Sequence, residues 1–158
     1  MITEKDARII SCLRNNAREK VTKISKKVKM PATTVYDKLR AHEKKFIKKH
    51  TSLIDFEKIG YNANAFIKVE AGYDSRKEVQ EFLLSNPNVN SLYKINLGNE
   101  FLIECRFRTN IDLHSFKDEL EHRFKVSDVK LFSIVQELKN EEFLTRPEHL
   151  AGLHSDSE

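Results

Sequence analysis

Cysteine and glycine are what this 158-residue sequence has least of, with two and four residues respectively. Cys12 and Cys105 stand alone without a CxxC pair. That excludes a disulfide scaffold and a cysteine-based zinc site, and it fits a reducing cytosol. The few glycines form no phosphate-binding loop, and no nucleophile–base–acid constellation is visible. Six histidines (His42, His50, His114, His122, His149 and His154) are scattered without HxxxH spacing, so neither a metal nor a cofactor is expected. No apolar run approaches the roughly 18 residues of a membrane span. The opening MITEKDARIISCLRNN lacks the basic-then-apolar layout of a signal peptide and reads as an amphipathic helix, which points to the cytoplasm.

What is present is charge, unevenly placed. The net charge is only +4, but residues 1–50 hold eleven Lys and four Arg against five acidic residues, a net +10. Residues 51–158 hold 13 basic and 19 acidic residues, a net −6. A basic segment beside an acidic one suggests a polyanion-binding module joined to a separate body; solvated lysine-rich helix faces are the plainer alternative.

The N-terminal segment reads as three short helices. From Thr3 to about Asn15, Ala7, Ile10 and Leu13 repeat with helical spacing and continue to Ala17, with Ile9 alongside; Thr3 and Asp6 resemble a capping box. Cys12 falls near this stripe as a packed thiol. Val21, Ile24 and Val28 mark a second helix ringed by Lys20, Lys23, Lys26, Lys27 and Lys29. After Met30-Pro31, a third helix runs from Ala32 to about Lys44, with Val35, Leu39 and His42 inward. Thr33, Asp37, Arg40 and Lys44 lie around the wheel, flanked by Thr34, Tyr36 and Lys38. A sharp turn before a third helix with small polar residues in its first turn describes a helix-turn-helix. Small threonines let such a helix approach the major groove, where Arg40 and Tyr36 can reach bases or phosphates. Lys20, Lys23, Lys26 and Lys27 can neutralise flanking phosphates. Phe46–His50 reads as a strand, a wing or hinge with a basic edge. A three-helix bundle used for protein contacts is the competing interpretation.

Beyond Thr51 the period changes to strand-like alternation. Strands are expected over Asn62–Ala71, Val89–Leu97, Glu100–Arg108 and Val126–Gln136. Helices are expected after Asp74-Ser75 to about Ser85, and from an Asn110 cap to about Phe124. Gly98-Asn99 reads as a two-residue hairpin, and Cys105 as a core residue. The order βαββαβ is the ferredoxin-like α+β arrangement, with both helices on one sheet face. The other face, read by alternation, holds Phe66, Leu92, Leu102, Phe132 and Ile134, an apolar surface suited to a second copy of the chain. A dimer also suits a helix-turn-helix, which reads a near-palindrome with two recognition helices. The expected domains are a winged helix-turn-helix at 1–50, a hinge at 51–61, a ferredoxin-like domain at 62–139 and a tail at 140–158. In the tail, Phe143, Leu144, Leu150 and Leu153 suit docking on a partner subunit, whereas the final HSDSE reads as disordered.

These features together resemble the Lrp/AsnC (leucine-responsive, feast/famine) family of bacterial and archaeal regulators, from Ile2 to about Gln136. The matching residues are Asp6, the run of Ile9, Ile10, Leu13, Ala17 and Arg18, and the recognition-helix residues Thr34, Val35, Lys38 and Leu39, ending at Ile47. Ile54–Gly60 resembles the family hinge, and Gly98 with Glu100–Glu104 its glycine turn and following strand. The resemblance implies a RAM-type C-terminal domain that dimerises through its sheet and assembles further into tetramers or octamers. It also implies an amino-acid or related effector near Gly98, Asn99 and Glu100. The sequence departs from the family at Lys38 (usually Arg), at His42 (Leu) and at Lys45 (Gly). A left-handed Lys45 would cost on the order of 1 kcal/mol. The turn at Gly98 is one residue short, lacks its Tyr and has Glu for Asp.

The expected function is therefore a sequence-specific DNA-binding transcription regulator that is not an enzyme and whose partner is double-stranded DNA. One alternative is a co-oligomerising partner of a paralogous regulator. The other is a siroheme-decarboxylase-like enzyme, which shares the two-domain build but uses histidines beside a tetrapyrrole. Here His114 and His122 fall eight residues apart on one expected helix.

Overall fold

The computed structural model describes residues 2–146. It divides into two compact units, one formed by Met1–Leu53 with the described residues from Leu138 onward, the other by Ile54–Glu137.

In the first unit, α1 (Glu4–Asn15), α2 (Val21–Val28) and α3 (Ala32–Lys45) surround a small core. Thr3 and Asp6 form the expected capping box: the Thr3 hydroxyl accepts from the Asp6 amide and the Asp6 carboxylate accepts from the Thr3 amide, which satisfies donors a helix start leaves open. The left-handed Lys29 (φ 52°) ends α2, and α3 starts directly after Pro31, where a missing N–H costs nothing. Ile9, Ile24, Val28 and Val35 form the buried centre, with Cys12, Leu13, Val21, Met30 and Leu39 packed around it. Burial pushes the Cys12 thiol up, against the pull of nearby Lys27.

Two local expectations change here. Phe46–His50 forms no strand. The amides of Phe46 and Ile47 both donate back to the His42 carbonyl, at 2.8 and 3.0 Å, so the helix end takes them up, and among the described residues the elements of this unit are all helices. Lys45 is the last residue of α3 and is absent from the positive-φ positions, so the left-handed strain does not arise. The segment after Leu138 lies against α1 of its own chain. Arg14 pairs with the Glu141 carboxylate at 2.7 Å and also donates to the Glu141 and Phe143 carbonyls. Ser11 and Asn15 donate to the Thr145 carbonyl. Of the tail residues singled out in the sequence, Leu150, Leu153 and the final HSDSE lie outside the described residues.

The second unit contains β1 (Ala63–Glu70), α4 (Arg76–Ser85), β2 (Val89–Ile95), β3 (Glu100–Phe107), α5 (Asn110–Phe124) and β4 (Ser127–Ser133). The strands are antiparallel in the order β2-β3-β1-β4, which is the expected βαββαβ sheet. One face is the core: Ala63, Ala65, Ile67 and Val69 of β1 with Phe101, Ile103, Cys105 and Phe107 of β3. It packs on Val79 and Leu83 of α4 and on Leu113, Phe116, Leu120 and Phe124 of α5. Cys105 is fully buried, and burial pushes its thiol up to about 12.

Several details differ from the alternation pattern. Thr109, not Asn110, caps α5, its hydroxyl accepting from the Asp112 amide at 3.1 Å. The β2–β3 connection is a short 3₁₀ turn over Asn96–Gly98 with Asn99 following, longer than a two-residue hairpin. Its Gly98 sits at φ +84°, a conformation glycine adopts without a Cβ penalty. The larger correction concerns Leu92. Val89 pairs with Cys105 but Ser91 pairs with Glu104, so Asn90 is an extra, bulged residue. A bulge inverts side-chain parity along its strand. Leu92 therefore aligns with Ile103 and packs on the helix-covered core, and Tyr93 takes its place beside Leu102 on the open face.

Candidate nucleic-acid interface

The helix-turn-helix places its sequence-selected residues in two groups, separated by what each side chain already holds. On α2, Lys23 and Lys27 share the Glu19 carboxylate at 3.1 and 2.8 Å. Hydrogen bonds from Lys27 and then Lys23 hold Glu19 below the usual carboxylate range, and the same contact raises Lys27. Lys20, at the N-cap of α2, and Lys26 are exposed and have no ion pair among the described residues.

On α3, Thr33, Tyr36, Asp37, Arg40 and Lys44 are exposed, and Thr34 is half-buried at the stripe's edge. The spacing i, i+3/4, i+7, i+11 puts Thr33, Tyr36 or Asp37, Arg40 and Lys44 in one line along the helix. The Arg40 guanidinium lies 5.7 Å from the centroid of the Tyr36 ring, a cation–π contact that steadies a long side chain. This line is an outward surface of a small hydroxyl, an aromatic, a carboxylate and two cations, whose hydroxyls and cations can donate to base edges and phosphate oxygens.

Lys38 belongs to neither group. Its ammonium sits 2.7 Å from Asp6 Oδ1, with about a third of the side chain exposed (32%). The buried His42 reaches the same oxygen with Nε2 at 3.1 Å. Both lie one and two turns after Val35, on the side of α3 turned to α1. The sequence therefore assigned Lys38 to the DNA-facing set, whereas the structure uses its charge to hold α1 to α3. Burial would push the Asp6 carboxyl up. Hydrogen bonds from the Lys38 ammonium and from the Thr3 hydroxyl and amide outweigh it and hold Asp6 far below the usual carboxylate range. Sequence reasoning missed the Asp6–His42 contact. The available signal was a histidine on an inward stripe facing a helix whose cap carries a carboxylate.

In the sheet unit, the open face carries Phe66, Tyr93, Leu102, Phe132 and Ile134 by register. Tyr93 and Phe132 are each 53% exposed. Ion pairs border these groups: Lys68 with Glu100 and Arg106 with Glu104. Gly98, Asn99 and Glu100 lie together at the β2–β3 turn. Asn99 accepts from the Arg76 guanidinium at 2.7 Å, and its carbonyl takes the Ala71 amide. Lys68 and the Asn96 amide group hold Glu100 below the usual carboxylate range. Leu97 in this turn and Tyr73 beside Arg76 are exposed. Among the described residues no group of His, Cys, Asp and Glu is placed to hold a metal, and no helix is long and apolar enough to cross a membrane. His114 and His122 are both exposed on α5.

The chain can be compared with known proteins on this basis. Residues 2–41 match the AsnC-type helix-turn-helix domain. The chain is 29% identical over 118 residues to the HTH-type transcriptional regulator FL11 of Pyrococcus horikoshii, covering 74% of this chain and 78% of that one. It is 31% identical over 105 residues to another, uncharacterised HTH-type transcriptional regulator of the same organism, covering 64% of this chain and 70% of that one. Its fold superposes on a Neisseria meningitidis transcriptional regulator solved as an L-Met complex, with a TM-score of 0.81 at 19% identity, over 89% of this chain and 94% of that one. The basic helix-turn-helix, the four-stranded sheet with two helices on one face, and these likenesses make the chain a member of the Lrp/AsnC family of DNA-binding transcriptional regulators.

Proposed function

We propose that the protein binds near-palindromic operator DNA sequence-specifically, as a dimer or higher oligomer, in the cytoplasm and on the nucleoid. The observation that carries this reading is the exposed line Thr33, Tyr36, Asp37, Arg40 and Lys44 on α3, beside Lys20 at the start of α2 and Lys26 within it, which have no ion pair among the described residues. A recognition helix of this kind reads base edges with its N-terminal residues while neighbouring cations hold the backbone. The open sheet face supports self-association. Tyr93 paired with Leu102, and Phe66 paired with Phe132 beside Ile134, put two apolar groups on this face, of the kind that marks a contact surface.

The turn at Gly98, Asn99 and Glu100 is the candidate effector site. It combines a guanidinium (Arg76), a carboxylate (Glu100) and exposed apolar groups (Tyr73, Leu97). Those are the contacts a zwitterionic amino acid would need. The Neisseria regulator with a similar fold binds L-Met, and an amino acid is the effector class proposed here.

Fluorescence anisotropy tests the reading on the fragment upstream of the protein's own coding sequence, with random duplex as control. A preference on the order of a thousandfold at physiological salt is expected. Equal affinity for both duplexes would reject sequence-specific recognition of that fragment.

A further inference from the structure

Of the five acidic residues among residues 1–53, four have partners. Glu4 pairs with Arg8, Asp6 with Lys38 and His42, Glu19 with Lys23 and Lys27, and Glu43 with His50. Asp37 has no hydrogen bond or ion pair among the described residues, although fifteen Lys and Arg occupy residues 1–50. It is exposed in the middle of the outward line of α3. Arg40, three residues on, is within the ordinary reach of an i,i+3 ion pair. Its guanidinium is placed over the Tyr36 ring instead, and position i+4 is Ala41, which cannot pair.

A lone carboxylate here repels phosphates and every acceptor on a base edge, so on a DNA-binding surface it weakens non-specific contact. It gains an attractive partner only from an exocyclic amine. A carboxylate has acceptors and no donor, and the major-groove edge of cytosine offers one amine donor, N4–H₂, where guanine offers only acceptors. Adenine also offers an amine, but its adjacent N7 acceptor opposes a second carboxylate oxygen.

We propose that Asp37 is a specificity-determining residue that selects cytosine at one position of each operator half-site and excludes guanine there. Arg40, parked on Tyr36, is left to read a separate position. This inference rests on the reading of the protein as a sequence-specific DNA binder.

Binding-site selection from a randomised duplex pool tests it, run with the full chain as wild type, Asp37→Asn and Asp37→Ala. The wild type is expected to enrich a motif with one strongly preferred C·G pair per half-site. Asp37→Asn moves that preference to A·T, because an amide both accepts from adenine N6 and donates to N7. Asp37→Ala makes the position degenerate, lowering discrimination there by about 10- to 100-fold and leaving the rest of the motif intact. If both variants select the wild-type motif unchanged, Asp37 is a solvated surface charge and the inference is overturned. If the wild type enriches no motif, sequence-specific binding itself fails, and this inference with it. Coincident thermal melts of the three proteins confirm that the comparison is made on folded chains.

Discussion

The two units of this protein are held together differently. The sheet unit buries a large apolar core of Ala63–Ala71, Phe101–Phe107 and two helix faces, with both sides of the contact supplied by strand and helix periodicity. Among its described residues the helical unit centres on Ile9, Ile24, Val28 and Val35 and supplements them with charge. Asp6 links a cap, a lysine and a histidine; Glu19 links two lysines; Arg14 holds the segment around Glu141 and Phe143. A small domain that must present cations outward has little apolar surface to bury. It recruits some of its charges as struts and leaves the others exposed. The contrast separates lysines that resemble each other in sequence: Lys26 and Lys38 are both DNA-contact candidates by position, but among the described residues Lys38 is held by Asp6 and Lys26 has no ion pair.

The sharpest way to break the contrast is to attack the apolar core. Phe101 is fully buried, and Phe101→Ala should cost about 3–5 kcal/mol. Denaturant unfolding followed by tryptophan-independent probes such as far-UV circular dichroism should show the sheet unit's transition moving to lower denaturant. A shift under about 1 kcal/mol would mean that the core does not dominate that unit.

Acid should strike the helical unit through Asp6. Its carboxyl titrates far below the ordinary 3.8, so the folded-state value is depressed. The stability it contributes is fully present above the unfolded value and is lost as pH falls below about 5 towards the folded one. Asp6→Asn removes the ion pair and should lower stability by about 1–2 kcal/mol at pH 7. It should also flatten the loss between pH 5 and 3 in thermal melts. An unchanged acid limb in the variant would assign that limb to other carboxylates.

The smallest effect sharpens the contrast between the lysines. Lys26→Ala should reduce the slope of log affinity against log salt by about one on any duplex, and leave the melting temperature near wild type. Lys38→Ala should do the reverse, lowering stability with little change in slope. If both alter the slope equally, Lys38 leaves Asp6 to meet phosphate.

Where local chemistry decided the outcome, it was legible. The Thr3–Asp6 cap, the three helices with α2 at Val21–Val28, and the inward alternation of β1 and β3 all follow from propensity and period. What escaped depended on a neighbour. Asn90 has no bulge signature of its own. It bulges because β2 must keep both Val89 and Leu92 in the core against β3, and its side chain then joins Ser91 in binding Glu104. That one residue exchanges Leu92 for Tyr93 on the open face. The strand expected at Phe46–His50 failed for a similar reason: alternation favours a strand only where another strand can take its hydrogen bonds, and the described residues of this unit form only helices.

By itself, then, the sequence determined the charge division, the helix-turn-helix, the βαββαβ order and the family, because each is written in local spacing and residue type. The tertiary structure alone decided which cations remain outward and which residues share a sheet face. Both depend on distances between elements remote in the chain: Lys38 is committed by Asp6, 32 residues away, and Leu92 is turned inward by its register with Ile103.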